Sequence, residues 1–109
     1  MAEPSAIKSI LDAWAARHGV AFEWRPDKTV AYTDSRGAWF LSTRAINGRD
    51  DWISVHPSDA GLELEKIADA GHVEALRLAV EDLAAELDGI LEWFQSWTDF
   101  FSFGPGQGH

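Results

Sequence analysis

Ser54 and His56 are the pair whose types and spacing come nearest to chemistry in this chain. Two residues apart on a strand, they share one face, and a hydroxyl beside an imidazole is the beginning of a nucleophile and base. The remaining parts of such a site are missing from the sequence, which has no G-x-S-x-G elbow and no glycine placed to build an oxyanion hole. Asp50, Asp51 and His56 would give a metal two carboxylates and an imidazole, but they follow no recognised ligand spacing, and the two aspartates read as residues that solvate a turn. His18 falls at a helix end, where the dipole favours an imidazolium, His72 at a helix start and His109 in the tail. Glu81 and Asp82 are neighbours on a helix and point apart, so they do not converge as an acid and base. Gly104, Gly106 and Gly108 follow a helix instead of preceding one, which is the wrong order for a phosphate loop. The sequence thus predicts no catalytic residue, no metal site and no cofactor.

The elements that would position these residues follow from hydrophobic period. Ile7, Ile10, Leu11, Trp14 and Ala15 recur at helical spacing, with Pro4 and Ser5 in front and Gly19 behind, which predicts a helix over 5–18. The period then changes to two. Val20, Phe22 and Trp24 alternate with polar neighbours, Pro26-Asp27-Lys28 reads as a turn, and Thr29 to Asp34 reads as a second strand. Ser35-Arg36-Gly37 makes another turn, Ala38 to Ile46 a third strand, and Asn47-Gly48 opens a loop into a fourth, Trp52 to His56. Pro57 ends this four-stranded antiparallel meander. Ser58 or Asp59 then caps a short helix bearing Leu62, Leu64, Ile67 and Ala68, which breaks at Gly71. From His72 a long helix is expected, with the seam Val73, Leu76, Val80, Leu83, Leu87, Ile90, Phe94, Trp97 and Phe101 packed on the sheet. A straight helix of that length would measure about 45 Å, so it bends at Gly89 or reaches a neighbour. The expected fold class is α+β, one domain over 1–103 with a flexible Gly/Pro tail over 104–109.

Charge is distributed unevenly. Residues 1–57 hold seven acidic and seven basic side chains, whereas 58–109 hold eleven acidic ones against Lys66 and Arg77, so the net charge of −9 belongs to the second half. The outward side of the long helix carries Glu81, Asp82 and Asp88 and no basic residue, and like charges four apart cost a few tenths of a kcal/mol per pair. Such a face attracts a basic protein and repels nucleic acid and anionic membrane. The small cluster of Arg25, Lys28, Arg36, Arg44 and Arg49 is too little for a phosphate backbone, so direct nucleic-acid binding is not expected. The absence of cysteine, of an apolar leader after Met1 and of any long uncharged apolar run leads to the expectation of a soluble, cytoplasmic chain without a membrane span.

Six tryptophans in 109 residues exceed what one core needs. In the strand at Trp52, Ile53 and Val55 share one face and leave Trp52, Ser54 and His56 on the other. Trp52 with Trp24 or Trp39, Tyr32, Arg36, Arg44 and His56 is therefore the candidate contact patch, made of residue types that concentrate at binding hot spots. The profile as a whole, small, acidic, cysteine-free and rich in tryptophan, resembles that of bacterial immunity proteins and other inhibitors that cover a partner's active site. The likeness is one of composition and implies a protein-binding function without assigning residues. A homodimeric chaperone or adaptor joined through the long helix, and a small ligand-binding or enzymatic domain, are the competing classes, so the chain is expected as a monomer or homodimer.

Overall fold

The computed structural model describes residues 4–29, 36–58 and 61–102, and side chains only within 5–26, 37–58 and 61–97. Helix α1 spans Pro4–Arg17 and strand β1 Glu23–Thr29, followed by β2 (Arg36–Ser42), the single-turn α2 (Arg44–Asn47), β3 (Trp52–Ser58), β4 (Gly61–Ile67), β5 (Val73–Leu78) and α3 (Val80–Ser102). The five strands form one antiparallel sheet in sequence order, β1-β2-β3-β4-β5. This is an α+β fold, with an N-terminal helix and a C-terminal helix packed on an antiparallel sheet.

One face of the sheet is covered by both long helices. From the strands it presents Trp39, Leu41, Ile53, Val55, Leu62 and Leu64, all buried. Against them pack Ile7, Leu11, Trp14 and Ala15 of α1 and Leu83, Leu87, Ile90 and Phe94 of α3, with Ile10 partly buried at the rim. These are the helical stripes expected from sequence, and each large apolar side chain so enclosed contributes about 1.5–3 kcal/mol.

The structure corrects the expected element boundaries. The short helix assigned between Ser58 and Gly71 is strand β4, because Leu62, Leu64, Lys66 and Ala68 alternate as buried positions with the half-buried Glu63, Glu65 and Ile67. A lysine at an inward position hid that period of two. The long helix begins at Val80 and not at His72; residues 73–78 are β5, and Val73, the first position of the presumed seam, is 53% exposed. Gly71, at φ +91, supplies the turn between β4 and β5. At 23 residues α3 is about 34 Å long, and it runs through Gly89 without interruption. In the first half, β1 continues through Pro26 to Thr29 where a turn was expected, absorbing the proline as a register shift between Arg25 and Thr29. The expected strand after Thr29 lies outside the described residues, as does the tail over 104–109. Strand β2 ends at Ser42, and Ile46 belongs to α2, which Gly48 closes at φ +73.

Leu83→Ala and Leu87→Ala remove fully buried side chains from the helix–sheet contact. Each is expected to lower the free energy of unfolding in urea by about 2–5 kcal/mol.

Candidate functional site

Among the described residues no helix covers the second face of the sheet. Its side chains stand in three cross-strand rows: Arg25, Ala38, His56, Glu63, Arg77; then Glu23, Phe40, Ser54, Glu65, Ala75; then Ser42, Trp52, Ile67, Val73. The centre is closed all the same, with Ala38, Ser54 and His56 buried. Phe40 meets the His56 ring edge-on, and the Arg25 guanidinium lies 5.1 Å from the Phe40 ring centre. The third row is apolar from Trp52 to Val73.

Ser54 and His56 do converge as the sequence predicts, with Oγ 2.7 Å from Nε2, and Glu65 of β4 joins them. The Ser54 hydroxyl donates to Glu65 Oε1 at 3.1 Å while its oxygen stays in contact with His56 Nε2. Glu65 Oε1 also lies 3.3 Å from the same Nε2. Nucleophile activation needs a different arrangement, in which Nε2 takes the serine proton and a carboxylate holds Nδ1. Here the carboxylate and the hydroxyl share Nε2, His56 Nδ1 has no hydrogen-bond partner among the described residues, and the serine is fully buried. What the cluster does is cross-link β3 to β4 under the Phe40 ring.

Two polar clusters that the sequence did not single out hold the ends of the fold. Asp51, expected to solvate a turn, is 1% exposed. Its Oδ2 accepts from Asn47 Nδ2 at 2.9 Å and Arg49 Nε at 3.2 Å, and its Oδ1 accepts from the Asp69 backbone N–H at 2.8 Å. Arg49 also donates to Gln95 of α3 at 3.1 Å, while the Asp51 carbonyl accepts the Thr43 backbone N–H at 3.0 Å. One carboxylate thereby ties the β2–β3 connection to the β4–β5 turn. The second cluster surrounds Lys66, 4% exposed on the helix-covered face. Its Nζ meets Glu86 of α3 at 2.7 Å and Glu74 of β5 at 3.9 Å, and it lies 4.9 Å from the Trp93 ring centre. Beside it His72 stacks on Trp97 at 3.5 Å between centroids. A lysine set into an apolar alternation is the signal that could have revealed it.

The predicted contact residues separate onto different surfaces. Trp39 is 6% exposed and part of the core, so it does not share a face with Trp52. Trp24 pairs with it on the helix-covered side at 4.7 Å, remains 44% exposed at the sheet margin, and packs where Gly37 has no Cβ. Trp52 is half-buried on the second face beside Ile67, and His56 is enclosed there. Arg44 lies on α2, exposed, 2.8 Å from Asp50; the hydrogen bond to that carboxylate, with its charge, pushes the guanidinium pKa above its ordinary value. Asp50, Asp51 and His56 are thus each engaged elsewhere and do not converge on a metal. Glu81, Asp82 and Asp88 are exposed on the outward side of α3, on the side of the sheet opposite Trp52. Tyr32 and the Arg36 side chain lie outside the described residues. No helix among the described residues is long and apolar enough to cross a membrane.

Comparison with protein-family models, with curated proteins and with solved structures found no match.

Asp51→Ala strips the acceptor from three donors in a closed site. It is expected to destabilise the fold by about 3 kcal/mol or more in urea unfolding, as removal of one partner from a buried charged network does.

Proposed function

We propose that the chain is a non-enzymatic protein-binding domain of the inhibitor or immunity type, acting in the bacterial cytoplasm, whose acidic helix layer engages a partner with a basic surface. The observation that supports this reading is the outward side of α3. Glu81, Asp82, Asp88 and Glu92 are exposed there, and no lysine or arginine occurs anywhere in the helix. The neighbouring α1 returns little positive charge: Lys8 meets Asp12 at 2.6 Å, and Arg17 meets Asp88 at 3.1 Å. Both pairs are more than half exposed or close to it, a setting in which ion pairs contribute 0–1 kcal/mol and leave the field largely intact. Glu86 is the exception in the acidic run, since Lys66 holds it and relieves its repulsion with Asp82.

The acidic layer and the apolar row of Trp52, Ile67 and Val73 face opposite ways, so they serve as two surfaces and not as one composite patch. Steering belongs to the first, because long-range fields set association rates.

The test uses a protein recovered on the immobilised chain and then purified. Its association rate with the wild-type chain should fall steeply from low to high salt, and Glu81→Lys, Asp82→Lys and Asp88→Lys together should slow it by roughly tenfold or more while circular dichroism shows the fold retained. Association rates that ignore both salt and the triple reversal would remove the basis of this reading.

A further inference from the structure

We propose that the outer edge of β5 is a self-association site, at which a second copy of this chain pairs its own β5 antiparallel across a two-fold axis and continues the sheet. The inference is independent of the basic partner above.

The two edges of the sheet differ. On β1, Pro26 lacks a donor and the register shifts between Arg25 and Thr29, which is how an edge is kept from pairing. On β5 the ladder is regular from Leu62↔Leu78 to Ile67↔Val73, and the strand contains neither proline nor lysine. The phase of its hydrogen bonds follows from the turn. Ala68 N–H donates to the His72 carbonyl at 2.8 Å, so that pair is of the hydrogen-bonded kind, and in an antiparallel ladder the kinds alternate. Glu74, Leu76 and Leu78 accordingly direct their backbone groups at β4. Val73, Ala75 and Arg77 direct theirs outward, from a stretch where Ala75 is exposed and the Arg77 side chain is 83% exposed. Among the described residues the N–H and C=O groups of all three meet no partner and form an open template.

A second copy fits this template without remainder. With the axis through Ala75, the partner's Ala75 lies opposite Ala75 and the partner's Arg77 opposite Val73, so every outward N–H and C=O on each strand finds its counterpart. Slipping the pairing by one ladder step leaves an outward residue of each strand unmatched. No like charges then stand directly opposite: the Arg77 stem lies along valine, and Glu74 falls beside the partner's Leu76. Glu74 is in turn near Lys66, 3.9 Å away, and Arg77 donates to Glu63 at 3.2 Å, so both charges at the junction already have a counter-ion. Each chain still carries −9, so two copies repel over longer range and salt should strengthen the dimer. That is the opposite sign to capture of a basic protein.

Sedimentation velocity over a concentration series should show a dimer of the full chain that tightens as salt is raised. Ala75→Pro removes an N–H that the single chain does not use, so circular dichroism and the unfolding midpoint should be retained while the dimer weakens at least tenfold. The chain has no cysteine. With a short-spacer bismaleimide Ala75→Cys should therefore cross-link to a covalent dimer, because hydrogen-bonded antiparallel pairs hold their Cα atoms about 5.5 Å apart, within reach of the spacer. Ala85→Cys, exposed on α3, should not. A wild-type chain that is monomeric at every concentration and salt, a dimer indifferent to Ala75→Pro, or cross-linking through Ala85→Cys in place of Ala75→Cys would each overturn the proposal. If Ala75→Pro fails to fold, the cross-link decides: its presence supports the site and its absence refutes it.

Discussion

The contact of α1 and α3 with a single face of the sheet is what the rest of the structure depends on. Ile7, Leu11 and Trp14 meet Leu83, Leu87, Ile90 and Phe94 over Leu41, Ile53, Val55 and Leu64, and this layer encloses most of the large apolar side chains. A strand paired out of register by one residue would turn its inward set to the other side, so the helix layer fixes the phase of all five strands at once. Among the described residues the second face is lined by the strands alone. Small Ala38 and Ser54 are buried at its centre, with Phe40 against His56, Arg25 over Phe40 and Glu65 bonded to Ser54.

Two polar clusters refine what the apolar contact begins. Lys66 occupies an inward position on β4 that aliphatic packing alone would have given to leucine, and its bond to Glu86 sets where α3 lies along the strand. Ion pairs of this kind are seldom a net gain in stability over apolar packing, and their use is in choosing one arrangement among several of similar packing quality. Asp51 plays the corresponding part at the end of the sheet, where its two oxygens receive three donors from two separate segments. Both clusters keep charge inside the molecule. On the outward side of α3 the compensation is slight, a solvent-exposed pair of Asp88 with Arg17.

The helical stripes of α1 and of α3 beyond Val80 were legible because each has a wide apolar side and no competing period. Residues 61–78 were not. Leu64, Ile67 and Ala68 fall at a helical spacing while Leu62, Leu64 and Ala68 fall at an alternating one, and the inward lysine at 66 made the alternating reading look broken. Val73 and Leu76 happen to continue the seam of α3 backward at intervals of three and four, although Val73 faces solvent. The side-by-side placement of Ser54 and His56 was legible from strand geometry. The role of Glu65 was not, because it depends on β4 being a strand. Trp39 and Trp52 could be assigned to opposite faces only once the register was known, since strands two and three carry large apolar groups on both sides.

The hairpin of β4 and β5 is the element on which the acidic face, the closed serine and histidine, and the free edge all turn. Amide hydrogen exchange resolved by residue, at low concentration and low salt, tests it most directly. Protection should alternate along 73–78, with the amides of Glu74, Leu76 and Leu78 protected by β4 and those of Val73, Ala75 and Arg77 exchanging rapidly. Continuous protection from His72 into α3, as a single helix would give, would contradict it.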